Sequence, residues 1–214
     1  MGSRSSQKRE QVEPYTSTRR FYDQNAVSYA EATLPLSMEQ SLEPFAARLR
    51  SGGRIVDLGC GAGRDLRVFL LQGLRPIGLD VSYQLARLAK VYSGCPVVVG
   101  DLRMLPFATD SFSGAWASAS LLHLRRDDVR MALAEVRRIL QPGGYFFSSM
   151  KCGQGEGMDS KGRWFTYFHP ADWLSQLEEA GLGIVDSHVS SQALGTLERD
   201  QPIAWFSCTA RRIE

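Results

Sequence analysis

From residue 54 onward, short apolar runs rich in β-branched residues alternate with longer segments whose apolar positions recur every three or four residues. The runs "RIVDL" (Arg54–Leu58), "RPIGLD" (Arg75–Asp80), "CPVVVGD" (Cys95–Asp101), "FSGAWAS" (Phe112–Ser118) and "YFFSSM" (Tyr145–Met150) read as strands. Between the first and second, "RDLRVFLLQG" sets Leu66, Phe69 and Leu70 on one helical face and stops at Gly73. After the second, "YQLARLAKVY" spaces Leu85, Leu88, Ala89 and Tyr92 for one face. A further helix is predicted from about Asp127 to Leu140, with Val129, Leu133, Val136 and Leu140 as its apolar stripe. Asp127 and Asp128 sit near its positive end and Arg137 and Arg138 near its negative end, and "QPGG" is expected to stop it. Pro170 suits the first turn of another helix, with Trp173, Leu174 and Leu177 inward and Gly181 closing it.

Two last runs, "GIVDSHVS" and "PIAWFSCTA", follow without a helix between them, which suggests an antiparallel pair at one sheet edge. Strands alternating with helices imply a mostly parallel sheet covered on both faces: a three-layer α/β/α, Rossmann-like domain with seven strands. Ser17 to Arg50 is compatible with helices interrupted near Pro35 and Pro44, so a helical N-terminal cap (15–50) is expected on a single domain (15–214), behind a flexible polar tail (1–14). There is no internal repeat.

Composition narrows the class without choosing a function. The chain has 214 residues, 43% hydrophobic and 22% charged, as expected of one soluble globular domain. With 25 basic and 23 acidic residues the net charge is +2, which argues neither for nor against nucleic acid. Four cysteines (Cys60, Cys95, Cys152, Cys208) form no CxxC pair, so neither a disulfide framework nor a cysteine zinc site is expected. No apolar run reaches the roughly 18 residues of a membrane span, and the N-terminus lacks a signal-peptide core, so a cytoplasmic location is the default.

The candidate chemistry starts at "VDLGCGAGRD" (Val56–Asp65), where Gly59, Gly61 and Gly63 follow a strand and open a helix. Glycine lets a ligand approach the backbone, and ligands of open α/β sheets gather at the strands' carboxyl ends. A phosphate-binding P-loop would need a different spacing and a lysine. A dinucleotide fingerprint fails in either register, because Arg64 or Leu66 stands where its last small residue belongs. A cationic cofactor suits the acid at Asp57, which would repel a pyrophosphate; S-adenosylmethionine (SAM) is such a cofactor.

The motifs "VDLGCGAG", "GLDVS", "GDLRMLPF", "SFSGAWASASLLHL" and "ILQPGG", in this order, resemble those of the class I SAM-dependent methyltransferases from about Phe21 to Arg211. The resemblance implies roles residue by residue. Asp57, Gly59, Cys60, Gly61 and Gly63 would hold the methionine moiety, with Arg64 near its carboxylate. Asp80 would accept from both ribose hydroxyls, against the alternative of a helix N-cap, and Val81 would pack on adenine. Asp101 would accept from the adenine amino group beside the Leu102 backbone, unless it is a turn residue. Ser118 would border the sulfonium. Tyr22 and Tyr29 resemble an N-terminal helix that closes over the cofactor, where aromatic rings gain cation–π attraction, with plain helix packing as the alternative.

On the acceptor side, His123 in "SLLHL" is the leading candidate for a base or acceptor-positioning group, against a hydrogen-bonded structural histidine. The long excursion "KCGQGEGMDSKGRWFTYFHP" is expected to fold back over the site. Arg163, Tyr167 and Glu156 would then face an acceptor while Trp164 and Phe168 pack, Tyr167 being the second catalytic candidate. His169 and His188 are treated as structural, and no metal-site spacing is present.

Methyl transfer from SAM to a small organic acceptor, leaving S-adenosylhomocysteine, is therefore the expected function. One alternative is an RNA methyltransferase, perhaps on tRNA, using Arg19, Arg20, Arg125, Arg126, Arg137 and Arg138. Others are an enzyme that cleaves or cyclises SAM and a silent SAM-binding regulator. Nucleic acid and membrane are not expected partners.

Overall fold

The computed structural model describes residues 14–190 and 204–213. The predicted tail lies outside them, except that Pro14 opens a helix. Helices α1 (Pro14–Gln24), α2 (Ala26–Thr33) and α3 (Glu39–Ala46) precede the alternating region. There follow β1 (Arg54–Leu58), α4 (Arg64–Leu71), β2 (Arg75–Asp80), α5 (Tyr83–Ser93), β3 (Val97–Val99) and β4 (Phe112–Ser118). After a 3-10 turn at Leu121–His123 come α6 (Arg126–Ile139), β5 (Leu140–Lys151), β6 (Glu156–Met158) and β7 (Trp164–Thr166). The described chain ends with α7 (Pro170–Glu179), β8 (Leu182–Ser190) and β9 (Trp205–Arg212).

Seven strands form one sheet in the order β3-β2-β1-β4-β5-β9-β8. The first five run parallel, and β9 is antiparallel to both β5 and β8. The strand order reverses beside β1, so the crevice for a ligand lies at the carboxyl ends of β1, β2 and β4. β6 and β7 pair separately as a small antiparallel hairpin.

Alternation along the strands divides the core. Val56 and Leu58 face the cluster completed by Val129, Leu133 and Val136 of α6 and Trp173 of α7. Ile55, Trp116 and Phe147 face the other way, onto Leu42 and Phe45 of α3 and Phe69 of α4. Trp116 stacks on Phe147 with ring centroids 3.8 Å apart. Phe45 is fully buried in this cluster, worth about 1.5–3 kcal/mol by its burial alone. Helix α3 is thus a core helix, and only α1 and α2 of the expected cap stand over the strand ends.

Four local expectations are corrected. Pro44 lies inside α3 and does not interrupt it. "QPGG" continues as a bulged part of β5, which begins at Leu140 because that residue pairs with Phe112, so Leu140 leaves the α6 stripe. Leu70 is 45% exposed and Tyr92 is 38% exposed. Both lie at helix ends beyond the sheet's cover, and Tyr92 carries the Arg67 guanidinium over its ring.

Candidate active site

The floor of the cleft is the turn from β1 into α4. Gly59, Gly61 and Gly63 have φ of +78°, +54° and +87°, the left-handed region that side chains resist. A Cβ at Gly59 would lie 2.4 Å from Ser120 Cβ, and one at Gly63 would lie 2.9 Å from the α5 backbone at Ala89. Only at Gly61 would a Cβ point into open cleft, 3.4 Å from the Tyr29 ring. Two of the three glycines therefore make room for the protein itself, a correction to the expectation that all three clear a ligand.

Asp80 ties this floor together. Its carboxylate accepts from the Gly61 N–H and from the Ser82 N–H, each at 2.8 Å. Ser82, not Asp80, caps α5, its hydroxyl oxygen accepting from the Leu85 N–H. Burial pushes the Asp80 carboxyl up to about 6, against the pull of those amide bonds. Asp57, Asp65 and Asp80 are all buried around the glycine turn. Asp65 is held by Arg64 at 2.6 and 3.1 Å and by the Trp116 indole N–H at 2.9 Å. Burial and the Asp65 and Asp80 charges raise the Asp57 carboxyl well above the ordinary carboxylate range, with Arg64 opposing. Three acids against one guanidinium leave the turn short of positive charge, which fits a cationic ligand. The Cys60 thiol is also pushed up by burial, so it stays protonated.

Two adjoining cavities open here. The larger, about 690 Å³ counted out to its mouth, is lined by Asp80 at the end of β2, Val81 just after it, Leu102, Ser118 and His123, under Tyr15, Thr18 and Tyr22. The other, about 610 Å³, is lined by Asp57, Cys60, Arg64, Met38, Ser149 and Trp205. Tyr29, Gly59, Gly61, Ser118 and Ala119 stand in both walls. Ala119 has φ of +54°, and its N–H is held by the Ser149 hydroxyl at 2.9 Å. Such strain, stored at the tip of β4 between both cavities, is typical of functional sites.

The roof is α1. Tyr15, Thr18 and Tyr22 follow a three-then-four spacing and so share the face over the larger cavity. Tyr22 Oη lies 2.8 Å from His123 Nε2, while His123 Nδ1 lies 2.6 Å from the Trp164 carbonyl. A carbonyl only accepts, so Nδ1 carries the proton and Nε2 accepts from the Tyr22 hydroxyl. Burial lowers the His123 imidazole to about 4. The Arg163 guanidinium is paired with Asp159 at 2.7 Å and lies over the Phe21 ring. Thr18 Oγ1 accepts from the Trp164 N–H and Ser17 donates to the Gly162 carbonyl, sealing α1 to the hairpin. Asp23 accepts from the Ser82 hydroxyl and the Gln84 N–H, fastening α1 to the start of α5.

Several predicted site residues are placed elsewhere. Asp101 is in neither cavity wall: its carboxylate grips Arg103 at 2.7 Å and its own turn, and bonds Tyr15, which lowers its pKa. Only its neighbour Leu102 reaches the cavity. Gly63 serves helix packing. Tyr167 lines neither cavity; it packs beside Phe165, and its carbonyl accepts from Arg126. Glu156 accepts from the Arg126 N–H and the Thr166 hydroxyl, away from the cleft. His169 caps α7 and His188 lies exposed on β8. Among the described residues no group of three metal-ligating side chains occurs. Sequence reasoning missed Tyr15, Thr18, Asp23, Ser120 and Trp205. The 15–18–22 spacing was a signal for the first two; the others become neighbours only through the fold.

Comparison with known proteins agrees with this geometry. The family model described as a methyltransferase domain matches residues 56–148. The chain is 35% identical over 124 residues to O-methyltransferase resE of Aspergillus sclerotiorum, covering 53% of this chain and 46% of that one. The chain spans about half the length of the curated relatives it matches. The 1,6-didemethyltoxoflavin-N1-methyltransferase of Burkholderia thailandensis, solved with its substrate and S-adenosylhomocysteine, superposes with TM-score 0.78 at 22% identity over 95% of this chain and 92% of that one. The [4+2]-cyclase SpnF superposes with TM-score 0.73 at 21% identity over 91% and 95%. Residues 56–148 thus match a methyltransferase-domain model, and the superpositions show that the chain shares the fold of these proteins.

Proposed function

We propose that the protein transfers the methyl group of SAM to a small organic acceptor. The observation that carries this reading is the lining of the two cavities: α1 roofs the first, and among the described residues Arg64, held by Asp65, is the one lysine or arginine in either wall. An RNA acceptor would need a basic path to them. Of the arginines considered for that role, Arg126 is spent on the Tyr167 carbonyl and the Phe168 ring, and Arg138 on Glu135. The relatives named as O-methyltransferases point to an oxygen nucleophile.

In this reading Asp80 accepts from the ribose hydroxyls with its remaining lone pairs, Val81 and Leu102 flank the adenine, and Asp57 and the glycine turn hold the methionine end beside Ser118. Bound SAM supplies an activated methyl on a sulfonium. The protein's contribution is alignment and exclusion of water. Tyr22 and Tyr29 place aromatic rings on the cleft, where a sulfonium gains cation–π attraction. His123, neutral at physiological pH, holds the Tyr22 hydroxyl in place and has the role of a positioning group, not of a free base.

The test is incubation with SAM and a mixed pool of phenolic and amine metabolites, followed by mass spectrometry. Formation of S-adenosylhomocysteine with a methylated pool member is the expected result. Methylthioadenosine without a methylated product would contradict the proposal in favour of SAM cleavage.

A further inference from the structure

Asp101 lies two residues past β3, where a carboxylate could accept from the amino group of an adenine. Its oxygens are already taken. Oδ1 accepts from the Arg103 backbone N–H at 2.9 Å and from Arg103 Nε at 3.1 Å. Oδ2 accepts from the same Nε at 3.1 Å and from Arg103 Nη2 at 2.7 Å. A carboxylate offers about four lone-pair sites, so these contacts leave none for a ligand. The forked guanidinium–carboxylate pair is also among the stronger side-chain pairings.

Arg103 is itself held from two further sides. Its Nη1 lies 3.3 Å from the Asp128 carboxylate of α6, and its guanidinium carbon lies 4.6 Å from the centroid of the Tyr15 ring of α1. An amino group reaching for Asp101 would have to displace a cation with three partners. Asp101 accordingly stands in neither cavity wall, while its neighbour Leu102 does.

With SAM held on Asp80, its base lies past that carboxylate, among Val81, Leu85, Leu102 and Tyr15. Three of these side chains are aliphatic and give contact without hydrogen bonds. The Leu102 backbone N–H has no partner among the described residues. A lone donor is matched as well by N1 of adenine as by the C6 oxygen of a 6-oxopurine. Only an acceptor beside it tells an amino group from an oxygen, and Arg103 occupies that acceptor.

We propose that Arg103 withdraws Asp101 from base recognition, so that the site reads a purine by its flat shape and takes 6-oxopurine nucleosides as well as adenine ones. Arg103 is the residue that sets this breadth. The inference rests on the methyl-transfer reading of the cleft, and its test separates the two.

Titration calorimetry of the full chain compares S-adenosylhomocysteine with S-inosylhomocysteine, in which an oxygen replaces the amino group at C6. The two affinities are expected to lie within about fivefold of each other, less than a lost charge-assisted hydrogen bond would produce. Arg103→Met keeps the length of the stem and frees the Asp101 carboxylate, which accepts from an amino group and repels an oxygen. Preference for the adenine nucleoside should then rise by at least about tenfold. Asp101→Asn added to Arg103→Met should return the ratio to the wild-type value, because an amide offers both a donor and an acceptor. A wild-type preference for adenine above about fivefold would overturn the inference and leave methyl transfer standing. A ratio that does not rise in Arg103→Met would take the role from Arg103. Binding of neither nucleoside would sink the methyl-transfer reading and this inference with it. Should Arg103→Met not fold, the wild-type ratio decides alone.

Discussion

The floor and the roof of the cleft are built from different materials. The floor is backbone: the glycine turn, pinned by Asp80 and wedged against Ser120 and Ala89. The roof is side chains: α1 buries only Thr18 among its described residues and is held by hydrogen bonds through Ser17, Thr18, Tyr22 and Asp23. A turn without spare room tolerates no added atom. A helix held by bonds of about 0.5–1.5 kcal/mol each can lift to admit a ligand. The contrast with α3 sharpens the point, since Leu42 and Phe45 anchor that helix in the core.

The largest effect should come from breaking the floor. Gly59→Ala places a Cβ 2.4 Å from Ser120 Cβ on a left-handed backbone. Strain and overpacking together should cost about 2–5 kcal/mol. The thermal midpoint, followed by circular dichroism, should fall by roughly 5–15 °C. An unchanged midpoint would mean the turn is softer than described.

Next is the carboxylate itself. Asp80→Asn should weaken S-adenosylhomocysteine binding by about 30–100-fold in calorimetry, the scale of a hydrogen bond to a charged group. The same group predicts a pH dependence. With its carboxyl raised to about 6, Asp80 loses its charge as pH falls through that value. Nucleoside affinity should then drop by up to about tenfold per pH unit, and Asp80→Asn should flatten the curve. Stability moves the other way: the contribution of protonated Asp80 is full below the ordinary carboxylate value and is lost as pH rises through about 6. Because His123 is lowered to about 4, turnover above that pH should show no histidine limb.

The smallest effect belongs to the roof. Tyr22→Phe removes the hydroxyl that donates to His123 Nε2 and should cost about 1 kcal/mol, or roughly 2–4 °C. A loss as large as that of Gly59→Ala would erase the distinction between floor and roof.

This division also explains what the sequence disclosed. The β1–glycine–α4 and β2–α5 units are local, so the positions of Asp57 and Asp80 at strand ends, and a seven-stranded sheet with an antiparallel last pair, were legible from apolar runs and turn residues. What the glycines clear was not, because Ser120 and Ala89 reach them from distant segments. Asp101 and Tyr167 were misplaced for a related reason: a matching residue type at a strand end or in a loop says nothing about which partner takes it. Arg103 and Tyr15 engage Asp101, and the hairpin turns Tyr167 away from both cavities.

Methyl transfer depends on a cleft that accepts a positively charged adenosyl sulfonium and its neutral, demethylated thioether. Titration calorimetry of purified, ligand-free protein with S-adenosylhomocysteine at neutral pH tests this most directly. Saturable binding at one site per chain, weakened by Asp80→Asn, is the predicted result. Absence of heat and of competition with SAM, in protein shown to be folded, would contradict it.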